Sequence, residues 1–200
     1  MSWPLLLPPA MAAAYLLGSL NFAVLLFALA GRPDPRLRGS GNAGTTNVYR
    51  QAGALWAAAI LLLDLARAAG IALAGLQLLP LPLVPWLGLG LLLGNRWPLW
   101  HGFKGGKGVA TYLGFTALLA PAAAGLAALA WVCVFALLRR PYLASFAMVA
   151  VLAGGTLQRC GTSPAALAGM LLTVCLIVWA HRGNLRLRQT AGKATGSPGG

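Results

Sequence analysis

The sequence predicts an all-α integral membrane protein, a bundle of about seven transmembrane helices with the N-terminus outside and the C-terminus cytoplasmic. Three observations carry this. First, 59% of the 200 residues are hydrophobic and 8% are charged, with mean hydropathy +0.77. A soluble domain carries roughly 25% charged residues, so this chain is too apolar to cover a water-facing surface. Second, the apolar runs are rich in Ala and Leu without period-two alternation, which favours helices over a barrel. Third, fifteen Lys and Arg face only two acids, Asp34 and Asp64. In a soluble protein that surplus would suggest nucleic acid. In a membrane protein it reports topology, an anionic substrate at the membrane surface, or both, and no nucleic-acid partner is expected.

Seven apolar segments can be drawn, at about 4–30, 54–76, 81–95, 108–120, 122–138, 142–158 and 164–181. They are expected to form a single membrane domain, 1–188, followed by a disordered polar tail, 189–200. MSWPLLLPPAM lacks a basic stretch of the kind that opens a signal peptide, so the first segment is expected to stay as an anchor. Several segments fall short of the ~20 residues a crossing needs and call for a turn from a neighbouring loop. In the second, Asp64 and Arg67 stand three residues apart, a spacing that permits a local ion pair and reads as scaffold. Cys133 and Cys175 lie inside apolar runs and read as small buried hydrophobes. Trp97, Trp100 and Tyr112 fit an interfacial aromatic belt.

With seven crossings and the N-terminus outside, thirteen of the fifteen basic residues fall on one side. These are Arg32, Arg36, Arg38, Arg50, Arg96, Lys104, Lys107, Arg139, Arg140, Arg182, Arg186, Arg188 and Lys193. Every glycine-rich polar stretch and both histidines share that side. A chemical site, if present, is expected to face the cytoplasm.

Three polar stretches have chemical content. GSGNAGTTNVYR, residues 39–50, spells G-x-G-x-x-G, but the preceding RPDPRLR holds two prolines and cannot be the strand a dinucleotide fingerprint needs. Ser40, Asn42, Thr45, Thr46 and Asn47 offer neutral hydrogen-bonding groups and Arg50 a phosphate fork. The stretch reads equally as an anion cradle or as a capped turn. GNRWPLWHGFKGGKGVAT, residues 94–111, fails the Walker A spacing. Loop charge for topology accounts for Lys104 and Lys107, but not for Gly102, Gly105, Gly106 and Gly108 around them, so phosphate binding is the better reading. HRGNL places His181 and Asn184 three apart at a helix end, where a histidine is a dipole partner or, near two phosphate loops, a general base. No nucleophile with an evident activating base appears, and the acids are too few for a metal-bound phosphotransferase.

Together GSGNAGTTNVYRQAG, GFKGGKGVAT and HRGNL, in this order between these segments, resemble the bacterial acyl-phosphate:glycerol-3-phosphate acyltransferase family (PlsY). The resemblance runs from YLLGSLNFAVLL to residue 188. It implies a seven-helix enzyme of the bacterial cytoplasmic (inner) membrane with its active site on the cytoplasmic face. It also implies acyl transfer from acyl-phosphate to the sn-1 hydroxyl of glycerol 3-phosphate, giving lysophosphatidic acid and phosphate for phospholipid biosynthesis. No cofactor, metal or acyl-enzyme is implied, and a soluble acyl-phosphate-producing acyltransferase is an implied contact. The resemblance carries substrate binding to Ser40, Asn42, Arg50, Lys104, Gly105, Gly106, Lys107, Gly108 and Asn184. His181 or a substrate phosphate oxygen is the base. Further candidates are Thr46, Asn47, Arg139 and Ser145. RRPYLAS departs from the family pattern, because Tyr142 stands where a serine is usual. An anion transporter is the alternative reading, and it needs functional polar residues near mid-membrane, where only Asp64 and Arg67 fall.

Overall fold

The computed structural model describes residues 3–184. The tail 189–200 and the basic residues Arg186, Arg188 and Lys193 lie outside the described residues. Eight α-helices follow in order among the described residues: α1 Trp3–Gly18, α2 Phe22–Leu29, α3 Thr45–Leu78, α4 Val84–Arg96, α5 Val109–Leu119, α6 Pro121–Leu138, α7 Pro141–Cys160 and α8 Pro164–Ala180.

Helix ends follow local chemistry. Prolines open α6, α7 and α8, where the missing N–H costs nothing. The Ser163 hydroxyl accepts from the Ala166 N–H at the start of α8. The expected first segment, 4–30, is two helices, α1 and α2, bent by 40°. The break falls at Ser19–Asn21 because Asn21 caps a new helix, its Oδ1 accepting from the Val24 N–H at 3.2 Å. The second segment begins earlier than expected, as α3 starts at Thr45, and its helix is interrupted at Gly53 (φ 85°, ψ −175°). That conformation is open to glycine and strained for other residues.

Length and apolarity alone qualify α3, α6 and α7 as crossings, and the bent α1–α2 pair as a fourth. The other helices are short: α5 has 11 residues, which at ~1.5 Å per residue spans only about half a ~30 Å hydrocarbon core. Short helices here are packed between longer ones. Helix α4 is central, burying Leu87, Leu91 and Leu92 against α1, α3, α5, α7 and α8. Glycines permit this closeness. A side chain at Gly18 would strike the Leu91 carbonyl, and one at Gly94 the Tyr15 carbonyl, so α1 and α4 meet backbone to backbone. Outside, Leu55, Leu62, Leu126 and Leu137 stand exposed, a surface suited to lipid.

Candidate active site

The C-terminal ends of α4 and α8 meet the loops before α3 and α5, and a cavity of about 580 Å³ opens there. It is lined by Ser40, Gly41, Asn42, Arg96, Phe103, Lys104, Gly105, Lys107, Ala180, Gly183 and Asn184. Residues from all three polar stretches of the sequence are thus brought to one place.

The first loop is organised by Asn47, in the first turn of α3 and 2% exposed. Its Nδ2 donates to the carbonyls of Pro35, Arg38 and Asn42 at 2.9, 3.1 and 3.0 Å, and its Oδ1 accepts from the Ser40 N–H at 3.0 Å. Gly39 and Gly41 take positive φ (65° and 66°) to wrap this side chain, and a Cβ at Gly39 would collide with Asn47 Oδ1. The G-x-G spelling therefore serves the fit around an asparagine. The N–H groups of Ser40 and Gly41 are spent within the loop, so it presents side chains, Ser40 and Asn42, to the cavity.

The second loop lies on the end of α4. The Gly105 and Gly106 N–H groups donate to the carbonyls of Arg96 and Asn95 at 3.2 and 3.0 Å, satisfying helix-end acceptors. Across Gly106 the two loops touch, since a Cβ there would sit 3.4 Å from the Ala43 carbonyl oxygen. Gly108 starts α5 with φ 84°. Between these glycines Lys107 is half-buried, and Lys104 is exposed at the rim. Burial, and then the charge of Arg96, hold the Lys107 ammonium below the ordinary lysine range.

A clamp joins the loops. Arg36 is held by Asp34 through bonds of 2.6–3.0 Å and donates from Nη1 to the carbonyls of His101 at 2.6 Å and Lys104 at 2.8 Å. Its guanidinium fixes the backbone of a cavity-lining lysine from the opposite loop.

His181 lies behind the lining, 3% exposed. Its Nδ1 is 2.8 Å from the Ile177 carbonyl, which can only accept, so Nδ1 carries the proton and Nε2 the lone pair. The ring meets Phe146 edge to face at 5.2 Å. Of the other expected residues, Arg50 and Thr46 are exposed on the first turns of α3, and Arg139 is exposed at the end of α6. The Ser145 hydroxyl donates to the Pro141 carbonyl at 2.9 Å. None of these, nor Gly106, Gly108 or Asn47, lines the cavity. Arg96 does, and sequence reasoning counted it only as topology charge; its place three residues before the turn at Leu99–His101, beside Trp97 and Pro98, was the available hint.

Charge makes the cavity distinctive. Arg96, Lys104 and Lys107 line it, while both acids of the chain are already engaged, Asp34 with Arg36 and Asp64 with Arg67. Among the described residues no free carboxylate remains to neutralise these cations. An anion is the remaining counter-charge.

Known proteins share this fold. Residues 9–190 match the family model described as glycerol-3-phosphate acyltransferase. A glycerol-3-phosphate acyltransferase of Pseudomonas fluorescens Pf-5 is 47% identical over 175 residues, covering 86% of this chain and 90% of that protein. One of Methylobacillus flagellatus is 41% identical over 175 residues, covering 87% and 89%. A crystal structure of PlsY (YgiH), an integral membrane glycerol 3-phosphate acyltransferase, in its glycerol 3-phosphate form, superposes with TM-score 0.83 at 32% identity, covering 92% of each chain. Its lysophosphatidic acid form gives TM-score 0.81 at 31% identity, again covering 92% of each chain. With matches across nearly the whole described bundle, the chain belongs to the glycerol-3-phosphate acyltransferase (PlsY) family.

Proposed function

We propose that this protein transfers a fatty acyl group from acyl-phosphate to the sn-1 hydroxyl of glycerol 3-phosphate, forming lysophosphatidic acid and phosphate at the start of bacterial phospholipid synthesis. The observation that carries this reading is the cavity itself: a guanidinium and two ammonium groups with no free carboxylate, at the end of an apolar helix bundle. Its size falls within the ~300–1,000 Å³ range of small-molecule sites. Two phosphate-bearing substrates repel each other, and the cations offset that repulsion while the acyl chain stays among the helices.

Acyl-phosphate is a mixed anhydride with a good leaving group, so holding and orienting the hydroxyl is the main task. The sn-1 oxygen attacks the acyl carbon, the bond from that carbon to the phosphate oxygen breaks, and phosphate departs. The hydroxyl proton passes to a base, either His181 Nε2 or a phosphate oxygen of the substrate. The burial of His181 behind the lining favours the phosphate oxygen. No acyl-enzyme is needed, and no metal enters the proposed steps. Ser40, Asn42, Lys104, Lys107 and Asn184 bind phosphate and glycerol, with Gly105, Gly106 and Gly108 shaping the loop. Arg50 is carried with them as a proposed substrate-binding residue, and Thr46, Asn47, Arg139 and Ser145 as further candidates, although none of the five lines the cavity. The single domain, 1–188, crosses the inner membrane seven times, N-terminus out and C-terminus in, so that the cavity faces the cytoplasm and the soluble enzyme that makes acyl-phosphate.

The test is purified protein with radiolabelled glycerol 3-phosphate and palmitoyl-phosphate, scored for lysophosphatidate; folded protein that makes none refutes the reading. Within that assay, Lys107→Ala is expected to raise KM for glycerol 3-phosphate roughly 10–100-fold, the size of one charged hydrogen bond. Phosphate binding needs the ammonium form of Lys107, whose pKa is lowered. Affinity is therefore full below that pKa and lost as pH rises through it, earlier than for an ordinary lysine. Lys107→Arg should move the alkaline rise in KM to higher pH, as a KM–pH profile will read. Arg36→Leu should lower kcat/KM about tenfold through a loosened Lys104 backbone, and steady-state kinetics will measure it.

A further inference from the structure

Arg96 ends α4, where a cation offsets the helix dipole and could be present for that reason alone. The local bonding argues for more. Three carbonyls at this helix end already have partners: those of Asn95 and Arg96 accept from the second loop, and that of Leu93 accepts from the Trp97 N–H at 2.8 Å. Arg96 Nε is buried and has no hydrogen-bond partner among the described residues, a costly arrangement for a charged group.

The side chain is nevertheless held in place. Its guanidinium carbon lies 5.2 Å from the Trp179 ring centre and 5.9 Å from that of Trp97. These two indoles pack on each other at 5.3 Å. Aromatic faces stabilise a cation but use none of its N–H donors. Arg182 shows the contrast: it covers Trp179 at 3.5 Å and spends Nη1 on the Trp179 carbonyl at 3.3 Å. Arg96 is thus a fork fixed from behind, lining the same cavity as Lys107 and Lys104, with no free acid among the described residues to meet it. A planar fork of N–H groups matches a phosphate bidentately, which an ammonium cannot do.

We propose that Arg96 is a phosphate ligand of this cavity, completing a three-cation site with Lys104 and Lys107 and setting affinity for a terminal phosphate group. Either substrate of the proposed acyl transfer could bring that phosphate, and the kinetic arm of the test rests on that reading. Arg96→Gln is expected to raise KM roughly 10–100-fold for glycerol 3-phosphate if Arg96 holds the acceptor, or for palmitoyl-phosphate if it holds the donor. Arg96→Lys, which keeps the charge and loses the fork, should fall between Arg96→Gln and the wild type. A role confined to packing on the tryptophans would lower the amount of folded protein and leave both KM values unchanged.

A second measurement uses the unaltered full chain in detergent. Inorganic phosphate should slow modification of Arg96 by an arginine-selective dicarbonyl, followed by peptide mass spectrometry, with Arg159 as the control. Protection of Arg96 in a protein that makes no lysophosphatidate would refute the acyl-transfer reading and leave the ligand assignment standing. Active protein whose Arg96 is modified at the same rate with and without phosphate, and whose Arg96→Gln variant keeps both KM values, would overturn the assignment.

Discussion

Gly105→Ala is expected to lower kcat/KM by about 100-fold or more while the helices remain folded. Gly105 needs no special backbone angle, so the cause is space alone. A Cβ there would strike the Asn95 carbonyl oxygen and lie 2.7 Å from Pro98 Cδ and 3.0 Å from the Arg96 carbonyl oxygen. Those atoms belong to a helix end and a proline ring and cannot swing aside. The loop must lift, breaking the bonds from Gly105 to Arg96 and from Gly106 to Asn95, and Lys104 and Lys107 travel with it. A shift of ~1 Å in a positioning group can cost about 100-fold in rate. Gly102→Ala is the control. Gly102 has φ 64° but no atom within 4 Å of a Cβ, so its cost is confined to a local backbone strain of about 1–2 kcal/mol. Acyl-transfer kinetics together with circular dichroism separate the two variants. Wild-type kinetics for Gly105→Ala would show that the loop does not need its seat on α4.

The glycines around Lys104 and Lys107 were visible in the sequence as an anomaly that topology charge could not explain. Their reason was not, because it lies in contact with a helix end ten residues away in the chain. The first loop shows the opposite case. Two prolines before G-x-G-x-x-G were enough to reject a nucleotide turn, yet spacing could not distinguish a ligand from a scaffold at Asn47. Only the four hydrogen bonds of its side chain do that. Arg96 was hidden by its company: among thirteen basic residues that a topology rule already accounts for, none stands out until burial and missing partners are known. The bend between α1 and α2 was masked in YLLGSLNFAVLL by apolar flanks, although Asn21 is a good helix start. Composition and periodicity report faces and lengths. They do not report which long-range partner a loop rests on, and the cavity is made of such partners.

Arg67→Leu is expected to destabilise the bundle by about 3–5 kcal/mol, the range for removing one partner of a buried ion pair. Arg67 and Asp64 have side chains only 5% and 14% exposed, joined at 2.9 Å. The same guanidinium donates to the carbonyls of Gly18, at 3.3 Å, and Leu20, and it reaches the Thr111 hydroxyl on α5 at 3.3 Å. It also lies 5.2 Å from the Phe22 ring centre. One side chain of α3 therefore closes the turn left open where α1 ends, and ties that bend to α5. Leucine would fill the space but strand a carboxylate and two carbonyl oxygens in an apolar interior. Arg67→Lys should recover part of the loss, because a point charge can pair with Asp64 but cannot serve acceptors on three helices at once. In the double variant Asp64→Leu, Arg67→Leu no buried charge is left unpaired, so its loss should be smaller than the sum of the two single losses. Thermal unfolding in one detergent across this series measures each term. A midpoint for Arg67→Leu equal to that of the wild type would show that the bend holds without its staple. The α1–α4 backbone contact at Gly18 and Gly94 would then be the part that sets the angle.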